Sequence, residues 1–146
     1  MKKLLLITAL LFVSSAYSQS IRNFQKKNEK NQSERTQMLD LLRNDIKNDI
    51  EQDVVFVVDH FLVSDKYAWM TGTIQRKDGR EVNINTNQRS CCNVEALFKK
   101  VNGQWVLKEN GAFATDVWYQ CLKGRYPDVN LDIFNYNLLD VINCND

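Results

Sequence analysis

The chain reads as one α+β domain: an N-terminal helix packed on a four- to five-stranded antiparallel sheet, short C-terminal helices, and disulfides as staples. Three observations predict this. Met38, Leu42, Ile46 and Ile50 repeat at helical spacing. Runs of β-branched and aromatic residues follow at once, separated by Asp-Gly and Asn-Gly turn signals. Four cysteines, Cys91, Cys92, Cys121 and Cys144, stand in a chain whose beginning has the form of an export signal.

That beginning carries Lys2 and Lys3, an apolar run over residues 4–13, and small residues around Ala16-Tyr17-Ser18. The run is shorter than the ~20 residues a spanning helix needs. Residues 1–18 are therefore expected to be a signal peptide, cleaved before Gln19. Residues 19–32 are expected to form a flexible polar arm and residues 33–146 the domain. No cysteine follows the cleavage site to carry a lipid, so no membrane insertion is expected after cleavage. Losing Lys2 and Lys3 takes the formal charge from +1 to about −1, which gives no electrostatic reason to seek nucleic acid.

The arm is polar apart from Ile21 and Phe24, and Glu29 interrupts its lysines 26, 27 and 30. Ser33 can cap the helix, with Glu34 in its first turn, while Arg43, Asp45, Lys47, Asn48 and Asp49 cover the opposite side. Val54–Val63 (VVFVVDHFLV) is too apolar for a strand wetted on one face. After a turn at residues 64–66, residues 67–75 form a second strand. Asp78-Gly79 turns the chain into a shorter strand over 81–86, with Val82 and Ile84 inward, and a polar loop follows. Asn93–Val101, Asn102-Gly103 and residues 104–108 make the clearest hairpin. Beyond Gly111, Thr115 or Asp116 can cap a short helix through Leu122, and Asn130 can cap a last segment over 131–142.

An even cysteine count in an exported chain predicts two disulfides. A bond between the adjacent Cys91 and Cys92 needs a strained eight-membered ring, and on a strand their side chains face opposite ways. One of them is then expected to pair with Cys121 and the other with Cys144. There is no Cys-x-x-Cys and only one histidine, so no metal or other cofactor is expected.

His60 is the natural acid–base candidate on pKa grounds, with Asp116 or Glu95 as its partner, since Asp59 beside it faces the other way. The five glycines are isolated and form no phosphate loop. Trp69 and Trp105 are expected in the core, with a ligand or partner surface as the alternative. Trp118-Tyr119 is the pair best suited to a cavity mouth.

From Glu34 to Pro127 the segments FVVDHFLV, YAWMTGTIQRKDG, ALFKKVNGQWVLKE and GAFATDVW give the chain a resemblance. It resembles a group of small exported bacterial proteins of unknown activity, and its helix-then-sheet order is similar to cystatin-like and NTF2-like folds. The resemblance implies fold rather than reaction. The four-cysteine pattern and the tail after Pro127 lie outside it, and the protease-inhibiting Gln-x-Val-x-Gly pattern of cystatins is absent. The expected function is an exported soluble binding or inhibitory module acting on another envelope or extracellular protein, in the periplasm or outside the cell. The alternative is a small NTF2-like enzyme or ligand carrier. It would have a pocket between helix and sheet, and would need His60, Asp116 or Glu95 turned inward with Trp69 or Trp118.

Overall fold

The computed structural model describes residues 20–84, 89 and 91–144; the expected signal peptide lies outside them. Five antiparallel strands pair in the order of the chain. They are β1 (Arg22–Asn23), β2 (Val54–Val63), β3 (Tyr67–Arg76), β4 (Asn93–Val101) and β5 (Gln104–Asn110), with α1 (Gln32–Ile50) between the first two. The turns at Asp78-Gly79 and Asn102-Gly103 lie where the sequence places them, with Gly79 and Gly103 at φ +80° and +78°, and the second of them joins β4 to β5.

Residues 20–31, expected to be a loose arm, contribute to the fold. Arg22 and Asn23 pair with Val63 and Leu62, and Phe24 is buried edge-on against Phe61. Asn28 and Asn31 each accept a hydrogen bond from the other's backbone N–H, at 3.0 and 2.9 Å. That reciprocal turn starts α1 at Gln32, one residue before the expected Ser33 cap. The helix ends where Glu51 enters the left-handed region and donates to Lys47 O at 2.8 Å.

One face of the sheet shares a buried cluster with α1. Met38, Leu42 and Ile46 are no more than 1 % exposed, and they lie among Phe61, Met70, Ile74, Val94, Phe98 and Trp105. The opposite face carries a second cluster built on Tyr67, Trp69 and Leu97, covered by the C-terminal segment through Leu122, Val129, Ile133, Phe134 and Ile142. Residues 67–70 of β3 are therefore buried whichever way their side chains point.

Three elements differ from expectation. Residues 81–84 form no strand: Val82 is buried with the α1 cluster, and Asn83 exchanges hydrogen bonds with the Gln52 side chain at 2.7 and 3.0 Å. The chain is thus drawn toward the end of α1 instead of along β3. The short helix expected to begin at Thr115 or Asp116 forms later, as α2 (Leu122–Arg125). The segment after Asn130 is capped as expected, Asn130 Oδ1 accepting from Asp132 N at 2.9 Å. It then breaks into 3-10 turns at Leu131–Ile133 and Tyr136–Leu138 and a short α3 (Leu139–Asn143). Extended conformations at Phe134 and Asn135 interrupt it, and the Phe134 ring packs 5.1 Å from Trp69.

The cysteine pairing is also corrected. Cys91 and Cys92 are at bonding distance from each other, and Cys121 is bonded to Cys144. The expectation placed the adjacent pair on a strand with opposed side chains, yet both precede β4 in a bend. Cys92 joins the α1 cluster on one side of the sheet. Cys121 and Cys144 flank Leu122 and Ile142 of the cluster on the other side, so the sheet separates the expected partners. The Cys121–Cys144 bond closes a separation of 23 residues, which contributes ~3–4 kcal/mol on the chain-entropy estimate. Peptide mapping without reduction should link Cys121 to Cys144 and show one peptide carrying both Cys91 and Cys92 two hydrogens light. A peptide joining Cys91 or Cys92 to Cys121 or Cys144 would contradict the fold described here. Replacing Cys121 and Cys144 by Ser should lower unfolding stability by about 3 kcal/mol in a urea titration.

Candidate functional site

Side chains on the face that bears the C-terminal segment fall into three rows across β2, β3 and β4, set by register. Leu62, Trp69 and Leu97 make the first row, His60, Thr71 and Glu95 the second, and Val57, Thr73 and Asn93 the third. The first is mostly buried and the second half-buried, while the third runs from half-buried Thr73 to exposed Asn93 and Val57, the latter 47 % exposed. A register shift between Val58 and His60 brings His60, not Asp59, onto this face. Gly72 permits it: a Cβ there would collide with Val57 O and come within 3.2 Å of Val57 C.

At the covered edge of the second row sits Trp118. A Cβ on Gly111 would fall onto its indole ring, so only glycine leaves room for it. The ring centroid lies 5.7 Å from Trp69 and 5.7 Å from Tyr119, and Tyr119 lies 5.9 Å from Trp69. Trp118 Nε1 donates a long bond to Glu95 Oε2 at 3.4 Å. Glu95 O in turn accepts from Gly111 N at 2.9 Å. Burial pushes the Glu95 carboxyl above the usual glutamate range, against the smaller opposing effect of the Trp118 hydrogen bond. His60 Nε2 is 2.8 Å from Ile133 O. A carbonyl can only accept, so Nε2 carries a proton and donates it.

His60 and Glu95 thus lie on one row with Thr71 between them. Asp116 does not join them: it is exposed and makes no hydrogen bond or ion pair among the described residues. Trp69 and Trp105 are 0 % and 2 % exposed, so neither is presented to a partner. They lie under opposite covers, Trp105 in the α1 cluster with Lys100 Nζ 5.1 Å from its ring. Both indole N–H groups lack a hydrogen-bond partner among the described residues, an energetic cost accepted for large apolar burial. Trp118 and Tyr119 are half-buried, at a rim rather than a cavity mouth. Between α1 and the sheet, where the alternative NTF2-like reading would need a pocket, Met38, Leu42, Ile46, Phe61, Met70 and Phe98 share a buried cluster.

Sequence reasoning missed Thr71, Thr73 and Gly111 as parts of this region. A glycine interrupting β3, at Gly72, was the available signal for the bulge and hence for the row.

No family matches. Comparison with known proteins finds no family model, curated protein or solved structure that matches the chain. No described helix is long and apolar enough to cross a membrane.

The electrostatics give a pH prediction. A carboxyl with a raised folded-state pKa contributes stability that is fully present below the ordinary glutamate pKa and lost as pH rises through the raised value. Glu95→Gln, which keeps an acceptor for Trp118, should therefore raise the urea midpoint at pH 7 and leave it unchanged near pH 3. Equal effects at both pH values would contradict the assignment. Gly111→Val should displace Trp118, cost about 1–3 kcal/mol, and shift tryptophan emission toward the red.

Proposed function

We propose that this chain is an exported binding or inhibitory module that recognises another envelope or extracellular protein through the open part of the C-terminal face. One observation carries the reading: the cover on that face stops at the His60–Thr71–Glu95 row, leaving Val57 and Thr73 beside an aromatic rim. Val117, next to Trp118 in the chain, is 49 % exposed and extends the apolar character of that rim. Exposed valines and a supported tryptophan edge suit a protein surface better than a small substrate. Paired cysteines are compatible with an oxidising compartment.

A second reading draws on His60 and Glu95. An imidazole and a carboxyl whose proton affinity burial raises flank a threonine hydroxyl, and together these groups can hold a small polar ligand on the shelf. Its arrangement differs from an NTF2-like enzyme, since the shelf lies on the other side of the sheet from α1.

The two readings separate by mutation. With the protein as bait against envelope and extracellular proteins, Thr73→Arg with Val117→Glu should abolish capture of the partner that the parent protein retains, with Tm unchanged. His60→Gln should leave that capture intact. Capture by the double variant at the parent level would overturn the surface assignment. Loss caused by His60→Gln and Glu95→Gln alone would favour the ligand shelf.

A further inference from the structure

The two disulfides differ in what they hold. Cys121–Cys144 spans 23 residues of the C-terminal cover, whereas Cys91–Cys92 joins chain neighbours and closes nothing longer than their own ring. A disulfide stabilises a fold chiefly by restricting the unfolded chain, and the restriction shrinks with the length of chain closed. A bond between neighbours restricts very little. The linkage is reciprocal: a bond that stabilises the fold is stabilised by the fold to the same extent. Folding therefore defends Cys121–Cys144 against reduction and leaves Cys91–Cys92 nearly undefended. Access alone would order the two bonds the other way, since Cys121 is exposed and Cys91 is half-buried.

The backbone around the neighbouring pair is anchored without their bond. Cys92 O accepts from Ile74 N at 2.7 Å, one step beyond the Thr73–Asn93 pairing, and Phe113 N donates to Asn93 O at 3.1 Å. Before the pair, Arg89 donates two hydrogen bonds to Asp49 of α1, at 2.8 and 2.9 Å. Cys92, 7 % exposed, lies in the cluster shared with α1, and Cys91 packs against it. None of these backbone and ion-pair contacts uses the sulfur atoms. The pair can thus change oxidation state while the chain stays folded.

We propose that Cys91 and Cys92 form a redox site, cycling between disulfide and dithiol by exchange with an external dithiol while Cys121–Cys144 stays closed. A thiolate of the external dithiol attacks Sγ of Cys91, the more exposed of the two cysteines. The bond to Cys92 breaks, and Sγ of Cys92 leaves with the electron pair and takes a proton. The second thiol of the reductant loses its proton and attacks its own sulfur in the mixed disulfide. Sγ of Cys91 then leaves as a thiolate and is protonated. Two electrons and two protons have passed to the pair, and the reductant departs as a disulfide. Oxidation retraces these steps with a disulfide as the oxidant. A dithiol suits the site better than a monothiol, because its second thiol is already held beside the adduct on Cys91. Cys92 belongs to the α1 side of the sheet, so this site lies apart from the face proposed to recognise a partner.

Equilibrating the purified protein in buffers of reduced and oxidised dithiothreitol, then alkylating and mapping peptides by mass, tests the site. Cys91 and Cys92 should both take label at a reduced-to-oxidised ratio about tenfold or more below the ratio that opens Cys121–Cys144. Tryptophan emission and near-ultraviolet dichroism should stay at their starting values through that first step, and the pair should close again in oxidised buffer. Reduction by glutathione, stopped early with acid, should leave the adduct on Cys91. Opening of both bonds at one ratio, or of Cys121–Cys144 first, overturns the proposal. So does a Cys91–Cys92 pair that opens only as the tryptophan signals report unfolding, or that fails to close again. An adduct on Cys92 contradicts the assigned order of attack. Label on both cysteines before any reductant is added removes the site altogether.

Discussion

Residues 67–70 of β3 cannot be wetted on either side, and the rest of the structure answers that constraint. Tyr67 and Trp69 point one way, Ala68 and Met70 the other, and all four are fully buried. Helix α1 supplies one cover. A 28-residue stretch from Val117 to Cys144, with little regular structure of its own, supplies the other through Leu122, Ile133, Phe134 and Ile142. Short helical turns bury little by themselves. Their hold comes from the large ring of Trp69 beneath them, contacted by Trp118, Tyr119 and Phe134. The Cys121–Cys144 bond ties the two ends of the stretch together.

The same cover defines the candidate site by stopping short. Where Trp118 rests on Gly111, the face passes from buried to open within one strand spacing, and the polar groups of His60, Thr71 and Glu95 lie on that boundary. A carboxyl there is poorly solvated without being sealed, which raises its proton affinity while leaving it reachable. The Ile133 carbonyl fixes the His60 tautomer, so the cover positions the imidazole as well as bounding it. The α1 side offers no comparable boundary, because its side chains interdigitate into the sheet.

Much of the fold was legible in the residues, and the reasons for the exceptions are physical. β2 and β4 were readable to the residue because apolar runs end at strong turn signals. β1 was not, since two residues among polar neighbours leave no periodicity to detect. The strand expected over 81–86 rested on Val82 and Ile84 alternating. Val82 is indeed buried, but into the α1 cluster and without a pairing partner. The cysteine pairing failed because side-chain alternation was applied to residues in a bend, and because the second cover leaves no periodic mark in the sequence. For the site, titratable residues could be named, yet which of them share a face depends on the bulge before His60. Thr71 and Thr73 acquire meaning only from register.

The account stands or falls on the second cover. A proton NOE experiment on the protein with its disulfides intact tests it most directly, read at the Trp69 indole. Cross-peaks from that ring to the rings of Phe134 and Tyr119 and to Trp118 are predicted, with slow exchange of its N–H. A Trp69 ring without cross-peaks to Phe134 and Tyr119, and an N–H exchanging as fast as a free indole, would contradict the cover and remove the boundary on which the site depends.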